Sequence, residues 1–333
     1  MRPFTAVFAL WCLYLRPVHS EQYQLLQTYN ASNFFEEFRF FSSADPTGGF
    51  VEYVPFETAL TTGIVTNETG LVYLGVDSTN VYTPNDQGRP SVRLESKMTF
   101  TEGLFVIDLT HMPVGCGTWP AFWTAGLGDW GKDGEIDIIE NVNDARSNNA
   151  ALHTAGDCAV LNSSSQTGLW KSTDCNTGHD GNQGCGTTFT EPYNYGAEFN
   201  ANGGGLYAME WRNDTIDIWF FSRDNVPDTL RDSTAIPNTK SFGTPSASFA
   251  GPCSSSFGEK FFNHTIILDT TFCGGWAGRT FGGGTSECPV SKGSTPLASC
   301  VDYVARNPKA FTDAWWGIKS LRVWEKKLHH LFQ

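Results

Sequence analysis

The segment Gly134-Glu135-Ile136-Asp137-Ile138-Ile139-Glu140-Asn141 interleaves carboxylates with isoleucines and reads as a strand carrying an irregularity. Side chains alternate between the two faces of a strand, so Glu135 and Asp137 share one face and Ile136 and Ile138 the other. Glu140 lies five positions after Glu135 and in an unbroken pleat would point the wrong way. A one-residue bulge at Ile138 or Ile139 flips the parity and returns Glu140 to the carboxylate face. Three acids then line one face with no Lys or Arg among them. Like charges this close destabilise a sheet. Such a cluster serves metal binding or acid/base chemistry, because repulsion raises one carboxyl's pKa while a neighbour stays ionised. A solvated acidic face and a calcium site are the competing readings. The interleaved isoleucines, which look buried, argue against the first, and a strand lacks the close carbonyls and turn of a calcium loop.

Immediately upstream runs Cys116-Gly117-Thr118-Trp119-Pro120-Ala121-Phe122-Trp123-Thr124, followed by Asp129-Trp130. Flat aromatic faces stack on the C–H faces of pyranose rings while nearby polar groups bind the hydroxyls, so tryptophan beside paired acids suggests a sugar-binding cleft. Most other tryptophans, including Trp211, Trp219 and Trp324 on strands, are assigned to packing.

Further strands are expected over Ser91–Ser96, Lys97–Leu109, Ala150–Thr154 and Ile318–Glu325, where β-branched and aromatic residues run between turn signals. Leu206–Arg212 and Thr215–Arg223 form a hairpin around Asn213-Asp214, a pair that tolerates the positive φ of tight turns. One short helix is expected at Asn307–Trp315, with Pro308 in its first turn and Gly317 beyond its end. The stretches Asn162–Asn202 and Ser241–Glu259 read as long Gly- and Cys-bearing loops. No repeat or linker divides the chain, and many short strands with stapled loops suggest an all-β, two-sheet antiparallel sandwich.

The 333 residues are 40% hydrophobic, 14% aromatic and only 17% charged, which excludes a disordered chain. Residues 1–20 read as a secretory signal peptide: a basic start, the apolar run Phe4–Leu15, and a small residue at Ser20 before Glu21. The run is too short to span a bilayer as a helix. Eight cysteines lie beyond Cys12, with no C-x-x-C pair among them, so disulfides are expected and a zinc or redox site is not. The spacings leave the pairing open. Sequons at Asn30, Asn67, Asn162, Asn213 and Asn263 agree with export. Losing Arg2 and Arg16 with the leader takes the net charge from −13 to −15. Nucleic acid and anionic membrane are therefore poor partners, whereas a neutral carbohydrate is not repelled.

The chain resembles glycoside hydrolase family 16, in particular its fungal secreted, laminarinase-like endo-1,3(4)-β-glucanases. The likeness is carried, in the family's order, by His111-Met112-Pro113, Gly117–Trp123, Gly134–Glu140, Leu152-His153-Thr154, Asn202–Gly205 and Phe272–Gly278. It extends over nearly the whole of residues 21–333, read as one catalytic domain. The resemblance implies a concanavalin A-like β-jelly-roll with an open cleft, retaining hydrolysis of β-glucan, no cofactor or metal, and a monomer. It casts Glu135 as nucleophile, Glu140 as general acid/base and Asp137 as the assisting acid. It further implies that Trp123, Trp130, His153 and Trp276 line the glycone side next to the cleavage point and that Arg93 binds a hydroxyl. Glu52 stands where relatives commonly carry Asn, a departure that bears on the polarity of a glycone-side subsite.

The expected cycle is electrostatic: ionised Glu135 keeps Glu140 protonated until glycosylation removes that charge, after which Glu140 can accept a proton from water. Two rivals remain. A β-glucan-binding recognition protein would usually lack the three acids, and a transglycosylase would share the covalent intermediate and differ in acceptor binding.

Overall fold

The computed structural model describes residues 22–327 except 163–164, 233, 252 and 254–256. The expected signal peptide lies outside the described residues. In chain order the strands are β1 (Gln22–Tyr29), β2 (Phe38–Phe41), β3 (Val51–Tyr53), β4 (Val65–Thr66), β5 (Val72–Leu74), β6 (Arg89–Ser91), β7 (Arg93–Ser96), β8 (Gly103–His111), β9 (Thr118–Gly126), β10 (Glu135–Glu140), β11 (Asn149–His153), β12 (Leu169–Ser172), β13 (Cys185–Thr188), β14 (Gly205–Trp211), β15 (Ile216–Ser222), β16 (Ala247–Phe249), β17 (His264–Phe272) and β18 (Trp316–Lys327).

Two antiparallel sheets follow. One is ordered β16-β15-β14-β8-β18-β5-β4, with β1 also on β18; the other is ordered β12-β13-β11-β10-β9-β17-β7-β2. A short parallel pair, β3 with β6, stands apart. Alternation puts Phe105, Ile107, Met209 and Trp211 of the first sheet against Phe122, Ile136, Leu152 and Leu268 of the second in one buried core. Each such side chain contributes roughly 1.5–3 kcal/mol by burial. This is the expected jelly-roll-type sandwich, and Trp211, Trp219 and Trp324 are buried in it as expected. Among the described residues no helix is long and apolar enough to cross a membrane.

The irregularity in β10 falls at Ile138. Glu135 and Asp137 pair with Ala125 and Trp123 of β9, then the register slips so that Ile139 pairs with Phe122 and Glu140 with Ala121. The β9 partners 125, 123 and 121 alternate regularly, so all three acids lie on one face. Ile136, Ile138 and Ile139 fill the core behind them.

Several local expectations need correction. The segment Asn307–Trp315 holds only a 3-10 turn, Pro308–Phe311, whereas the longest helix among the described residues is Pro296–Arg306. Its signals are in the sequence: Thr295 caps it through a bond from the Ala298 amide, and Pro296 occupies its first turn. Pro308 lies just beyond its end and disfavours helical geometry at Asn307. The expected strand Ser91–Ser96 breaks at Val92 between β6 and β7. That at Lys97–Leu109 begins at Gly103, after Glu102 takes a positive φ of 64°. The presumed loops carry β12, β13 and β16. The β14–β15 hairpin closes with the Arg212 amide donating to the Thr215 carbonyl at 2.8 Å. Neither Asn213 nor Asp214 has a positive φ.

The eight cysteines form four disulfides: Cys116–Cys288, Cys158–Cys253, Cys175–Cys185 and Cys273–Cys300. Cys273–Cys300 ties the segment after β17 to the helix Pro296–Arg306. There a satellite core of Phe272, Phe281, Val304 and Phe311 also packs. The bridge spans 27 positions. Replacing Cys273 and Cys300 together by Ala is expected to cost roughly 3 kcal/mol in denaturant-unfolding free energy; a loss under about 1 kcal/mol would mean the satellite core alone holds this segment.

Candidate active site

The outer face of the second sheet is polar across its central strands because register aligns the chemistry. Glu135 lies opposite His153 on β11, Asp137 opposite Trp123 on β9, and Asp269 of β17 opposite both Ala121 on β9 and Arg93 on β7. Two of the acids are covered as well as aligned, Glu135 and Asp137 being 8% and 3% exposed, and Glu140 is half-buried. The solvated-face reading is thereby excluded.

Each acid has a different partner. The indole N–H of Trp130 donates to Glu135 Oε2 at 2.5 Å, and that of Trp119 donates to Glu140 Oε1 at 2.7 Å. Asp137, between them, faces His153, whose Nε2 is 3.3 Å from Oδ2. The other ring nitrogen, Nδ1, is 3.1 Å from Asn182 Oδ1. Gly184 packs so closely on this ring that a Cβ there would sit 2.6 Å from His153 Cε1, and its φ is +67°.

Burial pushes Glu135 up to about 7, reinforced by the charge of Asp137 and opposed by His153 and the Trp130 hydrogen bond. Burial also raises Glu140 well above the carboxylate range, with Asp137 again the main charge responsible. The charge of Glu135 raises Glu140 as well, in the expected direction and by less than that of Asp137. Burial disfavours the charged form of His153, but the contact and charge of Asp137, with Glu135 and Glu140 behind it, raise its pKa to about 10. Both ring nitrogens face oxygen acceptors, which independently favours the doubly protonated imidazolium.

On the β17 side, Trp123 donates to Asp269 Oδ1 at 3.2 Å and Tyr53 donates to Asp269 Oδ2 at 3.0 Å. The Arg93 guanidinium lies 5.0 Å from the Trp123 ring and pairs with Glu95 at 2.9 Å. Burial lifts Asp269 to about 6, against the lowering effect of Arg93. At the opposite end of β10, Trp276 packs edge-on against Trp119 at 5.6 Å, beside Glu140, whereas Trp130 and His153 gather at Glu135. The structure thus joins Trp123 to Arg93, joins Trp130 to His153, and sets Trp276 apart from both pairs. Sequence reasoning missed Trp119, Asn182, Tyr53 and Asp269 as site residues. Trp119 stands in the aromatic run already singled out. Nothing local marks the other three, because strand pairing brings in Asp269 and Tyr53 and the loop closed by Cys175–Cys185 brings in Asn182.

Two groups among the described residues have metal-holding spacing. Cys116, Asp144 and Cys288 form one, but its sulfurs are joined in a disulfide. Glu135, Asp137 and His153 form the other, with donor atoms within 4.8 Å of one another. There the imidazolium already neutralises Asp137, and a cation would have to displace its proton.

A bulged strand of buried acids under tryptophans, on the outer face of a jelly-roll sheet, is the arrangement of a carbohydrate-cleaving enzyme class. The family model for the XgeA-like catalytic GH16 domain matches residues 38–324, and the chain belongs to that branch of glycoside hydrolase family 16. The endo-1,3(4)-beta-glucanase xgeA of Emericella nidulans is 44% identical over 308 residues, covering 92% of this chain and 48% of that protein. A probable endo-1,3(4)-beta-glucanase of Aspergillus fumigatus is 46% identical over 92% of this chain and 46% of its own. The chain therefore spans about half the length of these curated relatives. Among solved structures, laminarinase 16A of Phanerochaete chrysosporium, with β-glucans in donor and acceptor sites, is 42% identical with a TM-score of 0.86, covering 91% of this chain and 100% of that one. An elongating family 16 β-1,3-glucosyltransferase is 43% identical with a TM-score of 0.85 over the same shares.

His153→Gln removes a cation that lowers the Glu135 pKa. The ionised carboxylate then loses its nearest positive neighbour, so the Glu135 titration midpoint is expected to rise by about 1 unit in carboxyl-carbon NMR. An unchanged midpoint would mean that His153 is neutral.

Proposed function

We propose that the chain is a secreted, retaining endo-β-glucanase acting as a monomer on β-1,3- and mixed β-1,3/1,4-glucans, with residues 21–333 as its single catalytic domain. The observation that carries this reading is the bulge at Ile138, which sets buried Glu135 and Asp137 and half-buried Glu140 on one tryptophan-lined face. The names of the fungal relatives support the substrate class. The disulfides support an extracellular location.

Ionised Glu135 attacks the anomeric carbon while Glu140 protonates the glycosidic oxygen. The C–O bond to the departing chain breaks as a glucosyl ester forms on Glu135. Water then attacks the same carbon, Glu140 takes its proton, and the ester opens to release sugar with its original configuration. Esterification removes the Glu135 charge, one of the charges that raise Glu140. Glu140, having given its proton to the leaving group, then stands as a carboxylate beside a neutral ester, with the Trp119 N–H donating to it. Burial, with the neighbouring charges of Asp137 and Glu135, keeps Glu140 protonated beforehand. Trp123, Trp130, His153 and Trp276 line the sugar path, and Arg93 binds a hydroxyl.

A second reading, transfer of the glucosyl unit to a sugar acceptor, is favoured by the 43% identical neighbour described as an elongating glucosyltransferase. The two are separated by products: oligosaccharides longer than the starting laminari-oligosaccharide at early times mark transfer, and shorter ones alone mark hydrolysis.

Glu135→Ala is expected to reduce turnover of soluble β-1,3-glucan by at least ~10⁴-fold, with glucan binding retained; wild-type turnover in that variant would remove Glu135 as nucleophile. Proton NMR early in a wild-type digest is expected to show β-anomeric reducing ends, and initial α product would contradict double displacement.

A further inference from the structure

The bulge that brings Glu140 to the outer face opens a gap in the ladder on the other side of β10. Pairing of β10 with β11 runs from Glu135 with His153 to Asp137 with Ala151 and stops there, while pairing with β9 continues to Glu140. The backbone of Ile138 and Glu140 therefore lacks strand partners on the β11 side. This is the interior of a sheet, where unpaired peptide groups are strongly disfavoured.

One side chain fills the gap. Asn148, the residue just before β11, is completely buried. Its Nδ2 donates to the Ile138 carbonyl at 2.8 Å, and its Oδ1 accepts from the Glu140 amide at 3.0 Å. The carboxamide thus supplies the donor and the acceptor that a neighbouring strand would offer across the bulge. Asn148 is itself pinned, its amide donating to Asn194 Oδ1 at 2.6 Å and its carbonyl accepting from the Phe189 amide at 3.0 Å. The loop between Glu140 and Asn148 is closed on itself as well. Asn141 Nδ2 donates to the Ser147 carbonyl at 2.8 Å, and the Tyr195 hydroxyl donates to the Asn141 carbonyl at 3.1 Å. These contacts gather at the bulge and beyond it, whereas Glu135 and Asp137 are held separately by regular pairing to both β9 and β11.

We propose that Asn148 is a positioning residue for Glu140: its carboxamide clamps the bulge and so fixes the acid/base carboxyl relative to Glu135. An aliphatic side chain at this position leaves two buried peptide groups unpaired, and the strand relieves them by shifting toward a regular pleat or by admitting water. Either response moves Glu140 and leaves Glu135 in place, so proton delivery suffers while nucleophilic attack does not. The acidic motif does not mark this residue, which stands eight positions beyond Glu140. The inference rests on the reading of Glu140 as general acid/base, and its test separates the two.

Asn148→Ala and Glu140→Ala are compared with the full wild-type chain on two substrates. A laminari-oligosaccharide has a sugar leaving group that must be protonated, whereas an aryl β-laminaribioside with a dinitrophenolate leaving group departs without an acid. Asn148→Ala is expected to lower kcat on the oligosaccharide by ~10²-fold, the cost of misplacing a reacting group by about 1 Å, with little change in KM. On the aryl substrate its kcat/KM, which reports formation of the glucosyl ester, is expected to stay near the wild-type value. Glu140→Ala is expected to show the same split more steeply. If Asn148→Ala fails to fold, Asn148→Asp carries the test: it keeps the shape and the acceptor for the Glu140 amide, removes the donor to Ile138, and is expected to give the same split. Equal losses on the two substrates in the Asn148 variant overturn the proposal and make Asn148 a residue of the fold alone, as does failure of both variants to fold. Wild-type activity on both substrates also overturns it. Equal losses in Glu140→Ala overturn instead the acid/base assignment on which the proposal rests.

Discussion

The single residue that β10 carries in excess of its partner strand is the constraint on which the site depends. Without Ile138 as the extra unit, Glu140 would enter the core occupied by Ile136, Ile138 and Ile139, where a carboxylate is strongly disfavoured. With it, the chain keeps an apolar inner face and a continuous acidic outer one. The bulge therefore satisfies core packing and chemistry together, and each requirement holds the other in place. A regular strand could offer two acids on this face at positions 135 and 137, but not a third at 140.

Collecting three carboxylates creates a debt of repulsion and desolvation, and the structure meets it unevenly. Asp137 receives the His153 imidazolium, and the two glutamates receive one indole N–H each. The outcome is one acid paired and two with raised pKa values, which is the separation that acid/base chemistry needs. Asn182 and Gly184 matter because they fix the histidine: the amide oxygen faces Nδ1, and the missing Cβ leaves room for the ring. Both lie in the loop beginning at Cys175 and stapled by Cys175–Cys185, so a ten-residue disulfide loop sets the charge state of the centre.

What could be read from the sequence is what strand periodicity and short motifs encode. The bulge, the acidic face, the all-β class and the hairpin around Asn213 all rest on parity and turn chemistry within a few residues. Asp269 and Tyr53 were illegible because their relevance comes from register across β17, β9 and β7, and from a loop-borne parallel pair, over 216 positions of separation. The coupling of Glu135 to Glu140 follows from the roles expected of the pair and is present, with Asp137 adding the larger charge effect. The helix Pro296–Arg306 is a different kind of miss. Its cap and first-turn proline are local signals legible in the sequence.

The two ends of the acidic strand differ in how firmly their aromatic partners are held. At the Glu140 end, Trp119 lies on β9 and Trp276 packs against it from a segment fixed by Cys273–Cys300 and the satellite core. At the Glu135 end, Trp130 stands 52% exposed on a turn, anchored by its hydrogen bond to the carboxyl. Trp130 is thus held by one hydrogen bond and its contact with His153, and Trp276 by packing on a stapled segment. The hydrogen bond also links sugar binding to charge: a sugar that shifts Trp130 loosens its grip on Glu135, removing a contact that lowers that carboxyl's pKa. Occupancy on that side thus reports to the charge of Glu135, whereas the Trp276 side acts as a fixed wall.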